Sequence, residues 1–218
     1  MAIKESSDEL NPAVMIPASE VPARKRRTAG DYLALALATC GVGYFPIAPG
    51  TFGSLLGTAI FLGCSSGLSR SFPEPYLTEP NLRDPFTIVD GIHISAYFRS
   101  AAVPILVALI SLVGVWAASR AEKVINKKDP SIVVIDEVAG QMIALLSVPF
   151  WLQTWWTVLS AFILFRAFDI WKPYPIRRLE ALESGLGIMA DDVLAGIYAL
   201  IVNLVLIATY LFIVAPRG

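Results

Sequence analysis

An all-α, polytopic membrane bundle is the fold this sequence predicts, and three observations predict it. The 218 residues are 56% hydrophobic and 16% charged, with a mean hydropathy of +0.63, too apolar for an ordinary soluble domain. Apolar runs close to the roughly 20 residues of a membrane span recur along the chain. The basic residues gather in a few short stretches, the pattern that tells one side of a membrane from the other.

The elements follow in order. Tyr32–Thr39 reads as a short apolar helix, Thr51–Leu68 as a candidate span and Ser100–Ser119 as a clear one. Val138–Phe150 and Thr154–Phe168 are shorter runs separated by "WLQ"; they form either a tight hairpin or a re-entrant pair, and both outer ends lie on one face in either case. Val193–Ala215 is the cleanest span. Trp151, Trp155 and Trp156 cluster at the turn of the pair, where aromatic side chains mark a membrane–water boundary.

Residues 1–29 are polar, contain prolines and end close after the basic run Arg24–Arg27 without a signal-cleavage pattern, so they read as a disordered cytoplasmic tail. Residues 30–218 then form a single membrane-embedded domain, interrupted by a polar loop over about 69–99 on the opposite side. With the tail inside, 13 of the 17 basic residues fall on the cytoplasmic side, and Arg70, Arg83, Arg99 and Arg217 on the other.

This topology carries Asp129, Asp136, Glu137, Asp169, Asp191 and Asp192 to the cytoplasmic ends of helices, from three separate loops. Carboxylates crowded at a membrane boundary repel, so such a cluster takes up protons or binds cations. Oxygen donors without His or Cys favour Mg²⁺ over Zn²⁺, and Mg²⁺ is commonly held by a few carboxylates together with a substrate phosphate. Taken singly, Asp136 and Asp192 also stand where helix N-caps belong. Capping leaves the neighbours Glu137 and Asp191 unexplained.

In "GVGYFPIAPGTFGSLLG", residues 41–57, Gly and Pro make a turn before a helix whose first turns carry no charge. Thr51 and Ser54 are candidate phosphate contacts at that N-terminus, and Gly53-x-x-x-Gly57 is a small-residue packing face. In "FRAFDIWKPYP", Lys172 follows Asp169 by three residues and precedes the helix-stopping Pro173, which suits it to a phosphate or a carboxylate. Arg166, one turn before Asp169, is its candidate ion-pair partner and a further phosphate contact. Arg177 and Arg178 read as positive-inside anchors, and Cys40 and Cys64 as packing residues.

One histidine, His93, on the opposite side, excludes paired-histidine phosphatase chemistry. There is no Asp-x-Asp start and no Gly-x-x-x-x-Gly-Lys nucleotide loop. Metal-assisted attack by water or by one Asp remains. The competing class is a cation- or proton-coupled transporter; its site would lie near the midplane, whereas these acids gather at one face.

Four motifs in order, "GVGYFPIAPGTFGSLLG", "DPSIVVIDEVAGQ", "FRAFDIWKPYPIRRLE" and "GLGIMADDVLAG", closely resemble those of the phosphatidylglycerophosphatase A family over roughly residues 30–215. The resemblance implies an all-helical, Mg²⁺-dependent enzyme of the bacterial inner membrane that removes the terminal phosphate of phosphatidylglycerophosphate, giving phosphatidylglycerol. It implies catalytic or metal roles for Asp129, Asp136, Glu137, Asp169, Asp191 and Asp192, and a matching Lys-Pro step at Lys172. Its partner is a membrane phospholipid and not nucleic acid; oligomeric state is left open.

Overall fold

A computed structural model of the protein describes residues 26–71, 85–148, 152–179 and 182–214, with side chains described outside 69–71 and 85–100. The described residues include seven α-helices and a 3₁₀ turn, Val42–Tyr44. The helices are α1 (Ala29–Thr39), α2 (Pro49–Ser71), α3 (Pro85–Ile125), α4 (Ile135–Leu145), α5 (Trp155–Trp171), α6 (Ile176–Leu179) and α7 (Ser184–Val214). Three of them are long and apolar enough to cross a membrane: Pro49–Leu68 in α2, Ala101–Ile125 in α3 and Ser184–Val214 in α7. This is a membrane protein.

The expected polar loop over 69–99 is corrected by the backbone. Helix α2 continues to Ser71 and α3 begins at Pro85. Residues 85–99 carry a proline at the favoured first helical position and only two charges, Asp90 and Arg99, among apolar residues that a helix tolerates. The tail before Arg26, Trp151, and the side chains of Arg70, Arg83, His93, Arg99 and Arg217 lie outside what is described.

Helix α4 is the centre of the bundle. Eleven residues rise about 16 Å, too short for a hydrocarbon core of about 30 Å. All of them except Glu137 are buried, under α2, α3, α5 and α7, so its irregular ends are shielded by protein. Glycines let the neighbours in. A methyl group on Gly53 would lie 3.0 Å from the Val134 carbonyl, and one on Gly57 2.7 Å from that of Val138, so the small-residue face of α2 packs against α4 as its spacing suggests. On the other side, Gly196 of α7 meets the backbone of Gly140.

Polar groups inside the bundle are paired across helices. Asn203 of α7 donates to Ser147 Oγ (2.7 Å) and accepts from Ser160 Oγ of α5 (2.7 Å). At the end where α3 and α5 finish, Thr28 caps α1 in a reciprocal box with Asp31. Arg120 Nε of α3 donates to Asp31 Oδ1 at 2.6 Å, tying α1 to α3. The Thr28 backbone N–H and the Arg120 side chain hold the Asp31 carboxyl below the usual carboxylate range. Trp155 is exposed, while Trp156 packs on Tyr210 with ring centres 4.6 Å apart.

Candidate active site

A cavity of about 820 Å³ opens where α4 and α7 begin and α3 and α5 end. The topology gathers residues from distant parts of the chain. Asp136 and Glu137 come from the first turn of α4, Arg166 and Asp169 from the last turns of α5, Lys172 from its C-cap, and Asp191 and Asp192 from α7.

Oxygens of Asp136, Glu137 and Asp192 lie within 4.8 Å of one another. Asp136 Oδ1 and Glu137 Oε2 are buried without a hydrogen-bond partner. The start of α4 would normally favour negative charge, yet burial, and after it the charges of Glu137 and Asp192, push Asp136 well above the usual carboxylate range. Burial also raises Glu137; its hydrogen bond with Asp136 opposes that shift. Three carboxylates, two of them with an unpaired buried oxygen, in a lining free of His and Cys, fit a hard divalent cation such as Mg²⁺.

Two ion pairs flank this group. Arg166 Nη1 lies 2.7 Å from Asp169 Oδ2, the i,i+3 pair expected from the sequence. Lys172 Nζ lies 2.7 Å from Asp191 Oδ2, while Asp191 Oδ1 is buried and unpartnered. Asp129 is exposed at the rim. Asp129, Asp169 and Asp191 therefore share the cavity but stand outside the tight triad.

Non-glycine residues with left-handed backbone cluster here. Of six such residues described, Ala48 (φ 49°), Asp129 (φ 45°), Lys172 (φ 45°) and Ser184 (φ 61°) all line the cavity. Each costs on the order of 1–2 kcal/mol, a strain that concentrates at functional sites.

Several expectations change. Neither Asp136 nor Asp192 is an N-cap: Val134 caps α4, and α7 starts at Ser184, placing Asp192 two turns inside it. The preceding "SGLGIMA" is uncharged, and its Gly185 fits closely against Val115 and Ser119 of α3, so the helix extends upstream. Thr51 and Ser54 do not line the cavity; α2 begins at Pro49, and Ala48, Pro49 and Gly50 line it instead. The buried Ser54 hydroxyl donates to the Gly50 carbonyl (3.0 Å) and accepts from Arg166 Nη1 (3.5 Å). At Gly50 an added methyl would overlap Glu137 Oε1.

Sequence reasoning missed Glu122, Lys128 and Arg177 among the lining residues. Arg177 had looked like a membrane anchor; its neighbour Arg178 instead stacks over Tyr174, 4.9 Å from the ring centre. The adjacency of Lys128 to Asp129, and of Arg177 to the "KPYP" exit, was the available signal.

No solved structure matches the chain. A Bacteroides thetaiotaomicron protein that carries the provisional name phosphatidylinositol-3-phosphatase is 39% identical over 161 residues, 74% of this chain and 84% of the relative. A Haemophilus influenzae phosphatidylglycerophosphatase A is 35% identical over 163 residues, 74% of this chain and 80% of its own. The Escherichia coli phosphatidylglycerophosphatase A is 35% identical over 94 residues, 42% and 54% of the two chains. Residues 35–207, which hold the whole acidic cluster, match the family described as phosphatidylglycerophosphatase A, and the chain belongs to that family of phosphatases.

Proposed function

We propose that the protein is a Mg²⁺-dependent lipid phosphatase that converts phosphatidylglycerophosphate to phosphatidylglycerol at the cytoplasmic face of a bacterial inner membrane. The observation that carries this reading is the triad of Asp136, Glu137 and Asp192, with unpaired buried oxygens on the two α4 acids, beside the cations Arg166 and Lys172 in one cavity. The names of the Haemophilus and Escherichia relatives support the substrate. The cytoplasmic orientation is supported by the basic residues at the cavity end, among them Arg120, Lys123, Lys127 and Lys128.

Asp136, Glu137 and Asp192 would hold the metal. When bound there, Mg²⁺ supplies Lewis-acid polarisation of a phosphoryl oxygen and a more acidic water. Lys172, held by Asp191, and Arg166, held by Asp169, meet the negative charge that builds on the phosphoryl oxygens. Asp169, paired with Arg166, lines the same cavity as the triad. Overall, an oxygen of water forms a P–O bond, the ester P–O bond breaks, and a proton from that water passes to the departing ester oxygen, which leaves as the lipid hydroxyl.

Phosphate release from phosphatidylglycerophosphate by purified protein, with Mg²⁺ and with chelator, tests the reading. Mg²⁺-dependent release is expected. Equal release in excess chelator would overturn the metal role, and preference for phosphatidylinositol-3-phosphate, the substrate class in the Bacteroides relative's name, would overturn the substrate assignment.

A further inference from the structure

Helices α2 and α5 run antiparallel, and both form walls of the acidic cavity: α2 leaves it at Pro49 and Gly50, α5 arrives at Arg166 and Asp169. Their seam continues away from the cavity. Arg166 Nη1 reaches Ser54 Oγ across it at 3.5 Å. Beyond that point the same two helices open into a second depression of about 440 Å³, walled by Leu55, Thr58 and Leu62 on one side and Val158, Leu159 and Phe162 on the other.

The groove walls are mainly apolar, and the one unpartnered buried polar atom among its lining residues, Gln153 Nε2, stands at the end away from the cavity. The Thr58 hydroxyl donates to the Ser54 carbonyl (3.0 Å), and at the far end Gln153 Oε1 accepts from Ser65 Oγ (3.2 Å). Leu55 and Leu159 are each about half exposed, so the groove is open along its side. From Gly50 to Leu62 the helix rises about 18 Å, close to the roughly 15 Å of one leaflet. A phosphate seated among the acids would thus have its lipid chain beside an apolar channel of leaflet depth.

We propose that the α2–α5 groove holds one acyl chain of the lipid substrate, so that substrate enters sideways from the bilayer with Arg166 at the border between charged cavity and apolar groove. The proposal rests on the lipid phosphatase reading above. It differs from ordinary lipid contact on α3 and α7 because both groove walls are also walls of the cavity.

The test compares dihexanoyl and dipalmitoyl phosphatidylglycerophosphate, with Thr58→Trp and Leu159→Trp filling the groove from opposite walls and Ile105→Trp, on the exposed face of α3, as control. For the unsubstituted protein and the control, KM falls with chain length. In both groove variants KM for the dipalmitoyl lipid rises at least about tenfold, the loss of contact with as few as two methylenes, and the chain-length dependence flattens. If both groove variants keep the unsubstituted chain-length dependence, the groove assignment is overturned and the phosphatase reading stands. If the unsubstituted protein releases phosphate from neither lipid, both fall. A photoactivatable carbon midway along the acyl chain of the substrate should label α2 and α5, with unlabelled substrate competing. Equal, uncompeted labelling by phosphatidylcholine would identify the occupant as bulk lipid and overturn the proposal independently of variant folding.

Discussion

Gly196 of α7 lies so close to the Gly140 carbonyl of α4 that a methyl group on it would overlap that oxygen. Each glycine stands four residues, one helical turn, after an acid of the triad: Asp136 before Gly140, Asp192 before Gly196. The backbone contact therefore sets the separation of the helices one turn below the carboxylates. Gly196→Ala should part α4 and α7, lowering stability by on the order of 1–3 kcal/mol, as overpacking does, and should weaken Mg²⁺ activation at temperatures where the variant is still folded. Thermal unfolding in detergent and a Mg²⁺ titration of activity check this; an unchanged Tm would remove the contact from the account.

Lys172 combines a functional amine with an unfavourable backbone, and two substitutions separate them. Both Lys172→Ala and Lys172→Gly delete the amine and leave Asp191 without its 2.7 Å partner, so each should lose on the order of 10²-fold in turnover. Glycine adopts φ 45° without the Cβ penalty, so Lys172→Gly should be the more stable of the two by roughly 1 kcal/mol. Equal stability of the two variants would show that the left-handed turn at position 172 is not retained.

Asn203 is the contrasting case, a buried polar residue far from the cavity. Its bonds to Ser147 and Ser160 join α7 to the α4–α5 turn and to α5. Asn203→Leu should cost about 0.6–1.7 kcal/mol, the span measured for interhelical hydrogen bonds in membranes, and leave KM for lipid unchanged. A large loss of turnover in a variant with unchanged Tm would contradict a purely structural role.

The acids of the cavity were legible because a charge beside an apolar helix is costly and so calls for a reason; Asp136, Glu137, Asp169 and Asp192 were found that way. The three crossings were legible from length and hydropathy. What could not be read was closeness. Gly50 enters the site by lacking a side chain next to Glu137, and the hydroxyls of Thr51 and Ser54 looked more promising than that absence. Helix α7 begins well before the charges Asp191 and Asp192, because an uncharged segment rich in small residues, which carries no hydropathy signal of its own, continues the helix back to Ser184. Asn203 carried a signal that went unused: a lone amide in a long apolar run marks an interhelical bond.

The crowding that makes the triad a cation site also makes it a liability without the cation. Burial and the neighbouring Glu137 and Asp192 raise Asp136 in the folded protein above its unfolded value, near 3.9. Between those two values the folded state keeps a proton that the unfolded state has released, so stability falls as pH rises through that window and stays low above it. Asp136→Asn removes this penalty. In chelator the variant should be more stable than the unsubstituted protein at neutral pH, with the difference shrinking as pH falls toward about 4. Mg²⁺ should stabilise the unsubstituted protein and have a much smaller effect on the variant, whose turnover should drop by on the order of 10²-fold or more. Thermal unfolding across pH, with and without Mg²⁺, reads each of these. A variant less stable than the unsubstituted protein in chelator at neutral pH would show that Asp136 is held by compensating contacts and is not strained by its neighbours.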